Sequence, residues 1–370
     1  MRILQLGKFY PIRGGVEKVM WDLTRGLSAE GYICDMLCAS FEPAKETKII
    51  QLGECGRCIV QPSIAQASGT MLCPKMIGWV RKHAREYDII HIHHPDPMAC
   101  LALRLSGYKG RVILHWHSDV LKHKAIMAAY KPLQSWLIRR ADKIVGTTPV
   151  YVAHSPALKD VQNKVTCVPI GIEPIDVDQD KAALIQAQYP GKIIVFSLGR
   201  LVPYKGFTYL IQAAKYLPDD YVVLIGGTGP LQESLQREID DQDLNGKVKL
   251  LGFIEDEQLS PLFGSAKVFV MSSIMKTEAF GIVQIEAMSC GTPVVATKIP
   301  ESGVSWVNED GVSGLNVEPC NPKAMSEAIL AICKEENYLI FSEGARRRFD
   351  QVFRFEEMIN KIIKVYENKD

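Results

Sequence analysis

The chain has 370 residues, of which 47% are hydrophobic and 23% are charged, and its formal net charge is +1. These values are typical of a soluble globular protein. The near-zero charge argues against a dedicated nucleic-acid binder. A chain of this length usually forms two domains, because one hydrophobic core seldom serves so many residues. No apolar run approaches the roughly 18–20 residues of a membrane span, and the chain start has no signal-peptide cleavage pattern. We therefore expect a cytoplasmic protein.

Short apolar runs alternate with amphipathic segments along the whole chain, a pattern typical of parallel strands that helices cover on both faces. In the first half, strands are predicted at 2–6, 33–39, 88–93, 111–117, 143–148 and 164–169. In the second half, strands are predicted at 192–198, 221–227, 247–253, 267–273 and 292–297. The sequence therefore predicts an α/β protein with two doubly wound sheets.

The domain boundary is predicted from an acidic, aperiodic stretch that contains a proline. This stretch, residues 171–181, is interpreted as a linker between a first domain at 1–170 and a second at 182–349. A final helix is predicted over 350–370. In doubly wound sheets, ligands bind beyond the carboxyl ends of the strands, so polar motifs that follow strands are the candidates for function.

Two strand ends in the first half carry such motifs. Gly14 and Gly15 follow the first strand and precede a helix, where glycine lets the backbone approach a phosphate beside free helix amides. Strand 111–117 ends at His117, and Ser118 and Asp119 follow it. An ordinary surface loop and a structural histidine are the plainer interpretations. His117 is nonetheless a candidate to face a ligand from the strand end.

Histidines and cysteines raise the question of a metal. His93 and His94, at the end of strand 88–93, are weaker candidates for acceptor contact, and His91 lies nearby. Alternate residues of a strand face opposite ways, so the whole set cannot bind one ion from regular strand geometry. Cys55 and Cys58 form one CxxC pair, whereas structural zinc requires four ligands. We expect no metal and no other cofactor.

In the second half, Arg200 and Lys205 lie in the loop after strand 192–198. Two cations there suit a diphosphate, the arginine by bidentate contact and the lysine as a point charge. Gly227 and Gly229 follow strand 221–227 and permit tight turns. Their spacing is not GxGxxG, and the N-terminal dinucleotide fingerprint is also absent, so a dehydrogenase is disfavoured.

Two glutamates, Glu278 and Glu286, stand eight positions apart, with a helix predicted to begin near Gly281. Eight residues span at most about 12 Å along a helix axis, comparable to the reach from a hexose across a diphosphate to a ribose. The free amides of the helix start lie between the two carboxylates and suit a diphosphate. An acidic helix start plus one exposed glutamate is the alternative.

Together these motifs resemble the retaining glycosyltransferases of family 4, which have the GT-B fold of two Rossmann-like domains facing across a cleft. EAFGIVQIE matches the E-x7-E motif of that family, SLGRLVPYKG its diphosphate loop, and GGTGP its following glycine turn. YPIRGGVEK matches the N-terminal glycine loop, and HWHSD the histidine strand. The motifs occur in the order of the family and extend from residue 7 to about residue 300.

The resemblance implies roles for the matching residues. Glu278, His117, Arg200 and Lys205 would be catalytic: Glu278 would face the donor sugar, His117 would lie near that sugar and the acceptor, and the two cations would neutralise the leaving diphosphate. Glu286 would bind the ribose. The expected nucleotide-sugar contacts are Gly14, Gly15, Arg200, Lys205, Gly227, Phe253 (beside the base), Glu278, Ala279, Phe280, Gly281, Ile282, Val283 and Glu286.

The resemblance also implies transfer with retention of configuration, and it implies that the final helix, 350–370, packs back on the first domain. Residues 117–145 are similar to members that build bacterial O-antigen, capsule or exopolysaccharide on undecaprenyl-diphosphate carriers, many of which use GDP-mannose. GDP-mannose and a lipid-linked glycan are therefore the first candidate donor and acceptor. The basic, tryptophan-containing segment 121–143 is either a solvated helix face or a surface that rests peripherally on an anionic membrane.

Three alternatives remain open. The first is a glycosyltransferase of the same family that uses a UDP-sugar. The second is an enzyme like the UDP-GlcNAc 2-epimerases, which share the GT-B architecture and need no acceptor. The third is a non-catalytic nucleotide-sugar-binding protein, although Glu278, Arg200, Lys205 and His117 are all present.

Overall fold

The computed structural model describes residues 1–67, 69–120 and 124–368, with the backbone alone at 124–129. The chain divides into two compact units. Residues 1–170 and the chain after residue 355 form the first unit, and residues 171–355 form the second.

The first unit contains an eight-stranded sheet and a small two-stranded one. Its strands are β1 (Arg2–Tyr10), β2 (Ile33–Ser40), β3 (Lys48–Gln51), β4 (Gly56–Gln61), β5 (Ala65–Ala67), β6 (Thr70–Leu72), β7 (Ile89–His94), β8 (Arg111–Trp116), β9 (Lys143–Gly146) and β10 (Val165–Cys167). The large sheet has the order β10-β9-β8-β7-β1-β2-β4-β3. Its strands pair in parallel, except that β3 is antiparallel to β4.

Helices cover this sheet, and its inner strands are accordingly buried. The helices of the first unit up to residue 170 are α1 (Gly15–Ala29), α2 (Pro74–His83), α3 (Pro97–Ser106), α4 (Lys124–Arg140) and α5 (Pro149–Ala153). Strand β7 is buried at every residue, as expected for a parallel strand covered on both faces. Two short 3-10 helices lie at Ala84–Glu86 and Lys159–Lys164.

The second unit is a six-stranded parallel sheet in the order β13-β12-β11-β14-β15-β16. Its strands are β11 (Ile193–Leu198), β12 (Tyr221–Gly226), β13 (Val248–Gly252), β14 (Val268–Met271), β15 (Val294–Thr297) and β16 (Gly314–Val317). Its helices are α6 (Gln179–Gln188), α7 (Phe207–Ala214), α8 (Gln232–Asp241), α9 (Asp256–Ser265), α10 (Ile282–Ser289), α11 (Val304–Val307), α12 (Pro322–Cys333) and α13 (Glu335–Val352), with a 3-10 helix at Pro203–Lys205.

The stretch predicted as a linker, residues 171–181, lies within the second unit. Ile172 is buried, and its backbone amide donates to the Phe353 carbonyl at 2.9 Å. The amide of Ile175 donates to Ser289 Oγ at 2.7 Å. Asp178 then caps α6 by accepting from the Lys181 amide. These bonds satisfy backbone groups that a free linker would leave to water.

The final helix, α14 (Phe355–Tyr366), begins later than the predicted 350–370 segment. Residues 350–352 end α13 instead. The chain between the two helices is fixed by Phe353, which is fully buried and packs edge-on against Phe280 and Trp306. Among the helices that the structure describes, none combines the length and apolarity needed to cross a bilayer.

Candidate functional site

The loop after β11 is held against the end of β14 in the second unit. Ser272 Oγ donates to the Lys205 carbonyl at 2.8 Å. The next residue, Gly206, has φ +66, and a Cβ there would clash with the Ser272 carbonyl. Glycine is therefore required, both for the left-handed backbone and for the close approach. The result is a rigid loop that fixes Lys205 at the carboxyl end of the sheet.

The loops after β11 and β12 also touch each other directly. The Leu201 amide donates to the Thr228 carbonyl at 2.9 Å. Gly227 has φ +125, and a Cβ on it would overlap the Gly199 carbonyl. The two glycine-containing loops predicted from the sequence thus form one packed backbone surface.

Lys205 and Glu278 form a direct ion pair, with Nζ 2.6 Å from Oε2 and both side chains 12% exposed. Ser273 Oγ donates to the same Glu278 oxygen at 3.1 Å. Arg200 differs: it is exposed, and its Nη2 donates to Tyr204 Oη at 3.3 Å. Within the described ranges, Arg200 has no carboxylate partner. Of the two predicted cations, Lys205 is therefore paired with a carboxylate, whereas Arg200 faces solvent.

Helix α10 begins beside this pair. Gly281 is its N-cap with φ +77, and no side chain caps the helix start. Just before it, Ala279 and Phe280 are buried, and the Ala279 carbonyl accepts from the Gly303 amide at 3.1 Å. The residues that follow, Ile282 and Val283, are half-buried. A helix start with amides directed away from the helix is a suitable binding place for an anion.

The remaining predicted contacts of the second unit lie nearby in sequence. Glu286 is half-buried within α10. Phe253 follows β13, and its side chain is 68% exposed. An exposed aromatic ring at a strand end offers a flat apolar surface of the kind that stacks on a base.

In the first unit, Gly14 caps α1 with extended backbone, and the helix begins at Gly15. The carboxylate of Glu17, a buried residue in the first turn, lies next to Gly14: a Cβ on that glycine would be 2.8 Å from Glu17 Oε2. The Glu17 carboxylate therefore already interacts favourably with the positive end of the helix dipole. An anionic ligand that bound at this helix start would be repelled by that carboxylate.

His117 belongs to a column of stacked imidazoles. Strands β7 and β8 pair in a register that sets His93 opposite His115. His91 precedes His93 by two residues and His117 follows His115 by two, so all four rings share one face of the sheet. The ring centroids of His115 and His117 are 4.1 Å apart, and those of His93 and His117 are 5.1 Å apart.

Burial keeps this histidine column neutral. His91, His93, His115 and His117 are each at most 6% exposed. Desolvation is the main cause that lowers the pKa of all four, with neighbouring histidines adding to the effect for all except His115. The pKa of His115 falls to about 3. The column can therefore donate and accept hydrogen bonds near neutral pH without carrying charge.

His94 lies apart from the column. It stacks on Trp116 with ring centroids 3.8 Å apart, and its Nε2 lies 2.9 Å from Gln134 Nε2. Burial lowers its pKa to about 3. These contacts favour a structural role for His94 over the predicted acceptor contact.

Three of the stacked histidines could be considered as metal ligands. One nitrogen from each of His91, His93 and His115 lies within 4.8 Å of the others. The rings are nearly parallel, however, with interplanar angles of 10–27°, so their in-plane lone pairs do not converge on one point. Both nitrogens of His93 are also engaged by protein groups. The arrangement does not fit a metal site, and the predicted absence of metal stays a prediction.

Comparison with known proteins identifies the family. Residues 178–349 match the family described as "Glycosyl transferases group 1", and residues 13–175 match the one described as "Glycosyltransferase Family 4". An O-antigen chain mannosyltransferase C of Escherichia coli is 32% identical over 99% of this chain and 98% of its own length. The chain belongs to glycosyltransferase family 4. The predicted family is thereby confirmed, and the protein is a glycosyltransferase.

Other relatives of this family 4 glycosyltransferase are also named as sugar transferases. A D-rhamnosyltransferase of Pseudomonas aeruginosa is 27% identical over 89% of this chain and 86% of its own length. A phosphatidyl-myo-inositol mannosyltransferase of Mycobacterium leprae is 26% identical over 97% of this chain and 94% of its own length.

Solved structures confirm the predicted GT-B fold. The Anabaena protein HepE, crystallised with UDP, superposes with a TM-score of 0.80 over 100% of both chains at 20% identity. A sucrose-phosphate synthase from Thermosynechococcus elongatus superposes with a TM-score of 0.81 over 100% of this chain and 99% of its own, at 21% identity.

The sequence did not reveal two features of the family 4 glycosyltransferase. The ion pair between Lys205 and Glu278 joins two loops that are far apart in the chain, and motif spacing alone carries no signal for it. The four-histidine column is missed when His91 and His93 are considered without the neighbouring strand. The alternation H-x-H occurs in both HIH (91–93) and HWH (115–117). Two such strands in succession were the available signal.

Proposed function

We propose that this glycosyltransferase moves a hexose, with retention of anomeric configuration, from a nucleoside-diphosphate sugar to a lipid-linked glycan. GDP-mannose is the first candidate donor, and synthesis of a bacterial O-antigen, capsule or exopolysaccharide is the candidate role. The observation that carries the proposal is the Lys205–Glu278 ion pair, 2.6 Å long, beside the uncapped start of α10. This arrangement supplies a cation, a carboxylate and helix amides together.

In the proposed reaction, the bond from the anomeric carbon to the diphosphate oxygen breaks, and an acceptor hydroxyl oxygen forms its bond to that carbon on the same face, so the configuration is retained. The electron pair leaves with the diphosphate, and late in the step the hydroxyl proton passes from the acceptor to an oxygen of the leaving diphosphate. Negative charge therefore grows on the diphosphate. Lys205, Arg200 and the amides of Gly281 and Ile282 are proposed to stabilise it, because fixed donors directed at developing charge give the largest catalytic effects.

Glu278 is proposed to accept hydrogen bonds from hydroxyls of the donor sugar. Its ion pair with Lys205 holds the carboxylate in place before a ligand binds, which reduces the entropy lost on binding. Glu286 is proposed to accept hydrogen bonds from the ribose, and Phe253 to stack on the base. In the first unit, His117 is proposed to accept a hydrogen bond from a sugar hydroxyl.

The choice of GDP-mannose is supported by two relatives named as mannosyltransferases, both matched over nearly the whole chain. A UDP-sugar donor is the second candidate, because the Anabaena structures contain UDP, and one of them UDP-glucose. An epimerase is less supported, since both halves match glycosyltransferase families. An epimerase would also convert its nucleotide sugar without an acceptor.

The first experiment is a calorimetric and thermal-shift panel of the purified protein with GDP, UDP, GDP-mannose, UDP-glucose, UDP-GlcNAc and UDP-galactose. A ligand that binds only the folded state raises the melting temperature by mass action. Preference for GDP and GDP-mannose is the expected result. Preference for a UDP-sugar would contradict GDP-mannose as the donor. If none of the six ligands bound, the proposal of a nucleoside-diphosphate-sugar donor would itself be contradicted.

Retention and membrane contact each need their own measurement. NMR of the product formed from an α-linked donor should show an α-linkage, and a β-linkage would contradict retention. Membrane contact is proposed for the basic segment 121–143, of which 121–123 lie outside the described residues. In α4, Lys131 and Arg139 are exposed, and Trp136 is half-buried beneath the Arg104 guanidinium. Co-sedimentation with anionic but not neutral vesicles is expected.

A further inference from the structure

Five buried side chains of the first unit form one continuous hydrogen-bonded chain that ends at His117. Tyr366 Oη lies 2.6 Å from His91 Nδ1 and accepts from Gln5 Nε2 at 3.0 Å. Gln5 Oε1 lies 2.8 Å from His93 Nε2. His93 Nδ1 in turn lies 2.8 Å from His117 Nε2. The chain thus connects the last helix of the protein to the histidine at the carboxyl end of β8.

The far end of this chain is fixed by the close of α14. Arg111 Nη2 donates to the Val365 carbonyl at 2.7 Å, and its Nη1 donates to the Tyr366 carbonyl. A guanidinium at a helix C-terminus pairs with carbonyls that have no partner within the helix. Tyr366 is 3% exposed. The helix end is therefore attached to the first residue of β8, and the tyrosine hydroxyl is held beneath the histidine column.

The donor and acceptor roles along the chain follow from Gln5. In the structure, Gln5 Nε2 faces Tyr366 Oη at 3.0 Å and Cys34 Sγ at 3.9 Å, both of which can accept from its two N–H groups. Gln5 Oε1 faces His93 Nε2, which donates to it in this orientation of the amide. This assignment of the amide follows from the hydrogen-bond network.

The tautomers of the two histidines then follow in order. Burial keeps both rings neutral, so each carries one proton. With its proton on Nε2, His93 presents a lone pair at Nδ1, and His117 Nε2–H donates to it. The lone pair of His117 is consequently at Nδ1. In the part of the chain that the structure describes, His117 Nδ1 has no hydrogen-bond partner.

We infer that Tyr366, Gln5 and His93 are positioning residues that hold His117 in the tautomer whose Nδ1 accepts a hydrogen bond from a sugar hydroxyl. The inference rests on the role proposed for His117 above. A neutral histidine without such a chain populates both tautomers, and only one of them can accept at Nδ1. The tautomer of His117 thus depends on Tyr366, a residue of the helix that follows the second unit in sequence.

The test replaces Tyr366 by Phe in the full-length protein, which removes one hydroxyl and keeps the ring. The first readout is NMR of 15N-labelled histidine, which reports which nitrogen of each ring is protonated. In the wild-type protein, His93 and His117 should both be protonated at Nε2. In Tyr366→Phe, Gln5 loses an acceptor and can rotate, so the His117 signals should shift toward a mixture of tautomers.

The second readout is turnover of whichever nucleotide sugar the wild-type protein binds. We expect kcat to fall about twofold with the donor KM unchanged, because turnover decreases with the fraction of His117 in the accepting tautomer, and an even mixture of tautomers halves that fraction. Gln5→Leu breaks the chain at a second place and should act in the same direction. Tyr108→Phe is the matched control. Its hydroxyl donates to the carbonyls of Tyr87 and Asp88, outside the chain.

The results separate this inference from the proposed function. A proton on Nδ1 of His117 in the wild-type protein, or unchanged spectra in both Tyr366→Phe and Gln5→Leu, would overturn the inference. Shifted tautomers with reduced kcat, and neither change in Tyr108→Phe, would support it. Shifted tautomers with full turnover would confirm the hydrogen-bonded chain but overturn both the positioning role and the proposed role of His117.

Discussion

Lys205 and Glu278 form an ion pair in which Nζ lies 2.6 Å from Oε2. The two residues come from the loops that follow β11 and β14, which are neighbours in the sheet. The pair therefore joins the proposed diphosphate cation to the proposed sugar carboxylate before any ligand is bound. A bound donor would contact Lys205 and Glu278 while the two side chains also contact each other. The effects of the two residues on binding and on stability should therefore be coupled.

Replacing Lys205 by Ala should lower turnover by at least about a hundredfold, as removal of a charge partner of the transition state typically does. The same change leaves the Glu278 carboxylate without its cation at 12% exposure, and should destabilise the fold by about 1–3 kcal/mol. Steady-state kinetics and urea unfolding measure the two effects separately.

The double variant Lys205→Met with Glu278→Gln distinguishes a structural role from a catalytic one. Because the double variant has no buried carboxylate charge at position 278, it should be nearly as stable as the wild-type protein. Its activity should remain as low as that of Lys205→Ala. Lys215→Ala, an exposed lysine at the end of α7, serves as the control and should change neither. Near-wild-type turnover in Lys205→Ala would rule out the diphosphate role.

Arg200 should matter for turnover and hardly at all for stability, because it is exposed and pairs with Tyr204 alone among the described residues. We expect Arg200→Ala to lower turnover at least about a hundredfold with an unchanged unfolding midpoint. Arg200→Lys should recover only part of the loss, since a lysine cannot bind a diphosphate in a bidentate way. Full recovery by lysine would indicate that charge alone is needed.

Gly227→Ala tests the packed backbone surface of the second unit. Its φ is +125, and the added methyl group would overlap the Gly199 carbonyl. Gly252 is the matched control: its φ is +74, and a methyl group added there would meet no atom within 4 Å. Gly252→Ala should cost about 1–2 kcal/mol, the usual penalty for a left-handed residue. Gly227→Ala should cost clearly more in denaturant unfolding, and equal costs would refute the close approach.

The order of elements and several local motifs could be predicted from the sequence, because they depend on short-range pattern. Parallel strands such as β12 and β14 are buried at every residue, and burial on both faces produces a continuous apolar run. Glycine-bounded loops after strands were predictable for the same reason, since left-handed backbone near Gly206 and Gly281 favours glycine.

Other elements gave weak local signals. Strand β16, with the sequence GLNV, is short and begins with glycine, and β3 lies at the sheet edge with mostly exposed residues. Both are stabilised by a neighbouring strand rather than by their own composition. The end of α13 and the start of α14 also depend on a distant contact, the burial of Phe353 against Phe280 and Trp306. Such contacts are absent from any sequence window.

Replacing Glu286 by Ala should mainly weaken nucleotide binding. A carboxylate that accepts from ribose hydroxyls contributes about 1.5–3 kcal/mol, so the dissociation constant should rise roughly tenfold to a hundredfold. Calorimetry with the preferred nucleoside diphosphate measures it, and Glu327→Ala, an exposed glutamate in α12, is the control. Unchanged affinity in Glu286→Ala would count against the ribose contact.

A chelator should leave activity intact, because cations and helix amides are proposed to stabilise the leaving group. Dialysis against a strong chelator, followed by kinetics with and without added Mg²⁺, Mn²⁺ or Zn²⁺, tests this. Complete loss that a divalent ion restores would overturn the metal-free mechanism. Metal analysis of the dialysed protein would then show whether the ion remains with the histidine column.

Acid should destabilise the first unit through its buried histidines. Burial lowers the pKa of His94 and of His115 to about 3, whereas an unfolded histidine has a pKa of about 6.5. Between these values, the unfolded chain binds protons that the folded chain does not. The stability contributed by each neutral histidine is therefore complete above about pH 6.5 and falls by up to about 1.4 kcal/mol per pH unit as the pH decreases toward 3.

His115 allows this effect to be isolated, because neither of its ring nitrogens has a partner within the described chain. His115→Leu removes the proton uptake of one histidine, so the slope of unfolding free energy against pH should decrease by about 1.4 kcal/mol per pH unit between pH 6 and pH 4. Buried Asp96 acts in the opposite direction in both proteins, since burial raises its pKa, and it cancels in the comparison. Parallel slopes for His115→Leu and the wild-type protein would mean that His115 already carries its proton in the folded state, and the neutral histidine column would have to be abandoned.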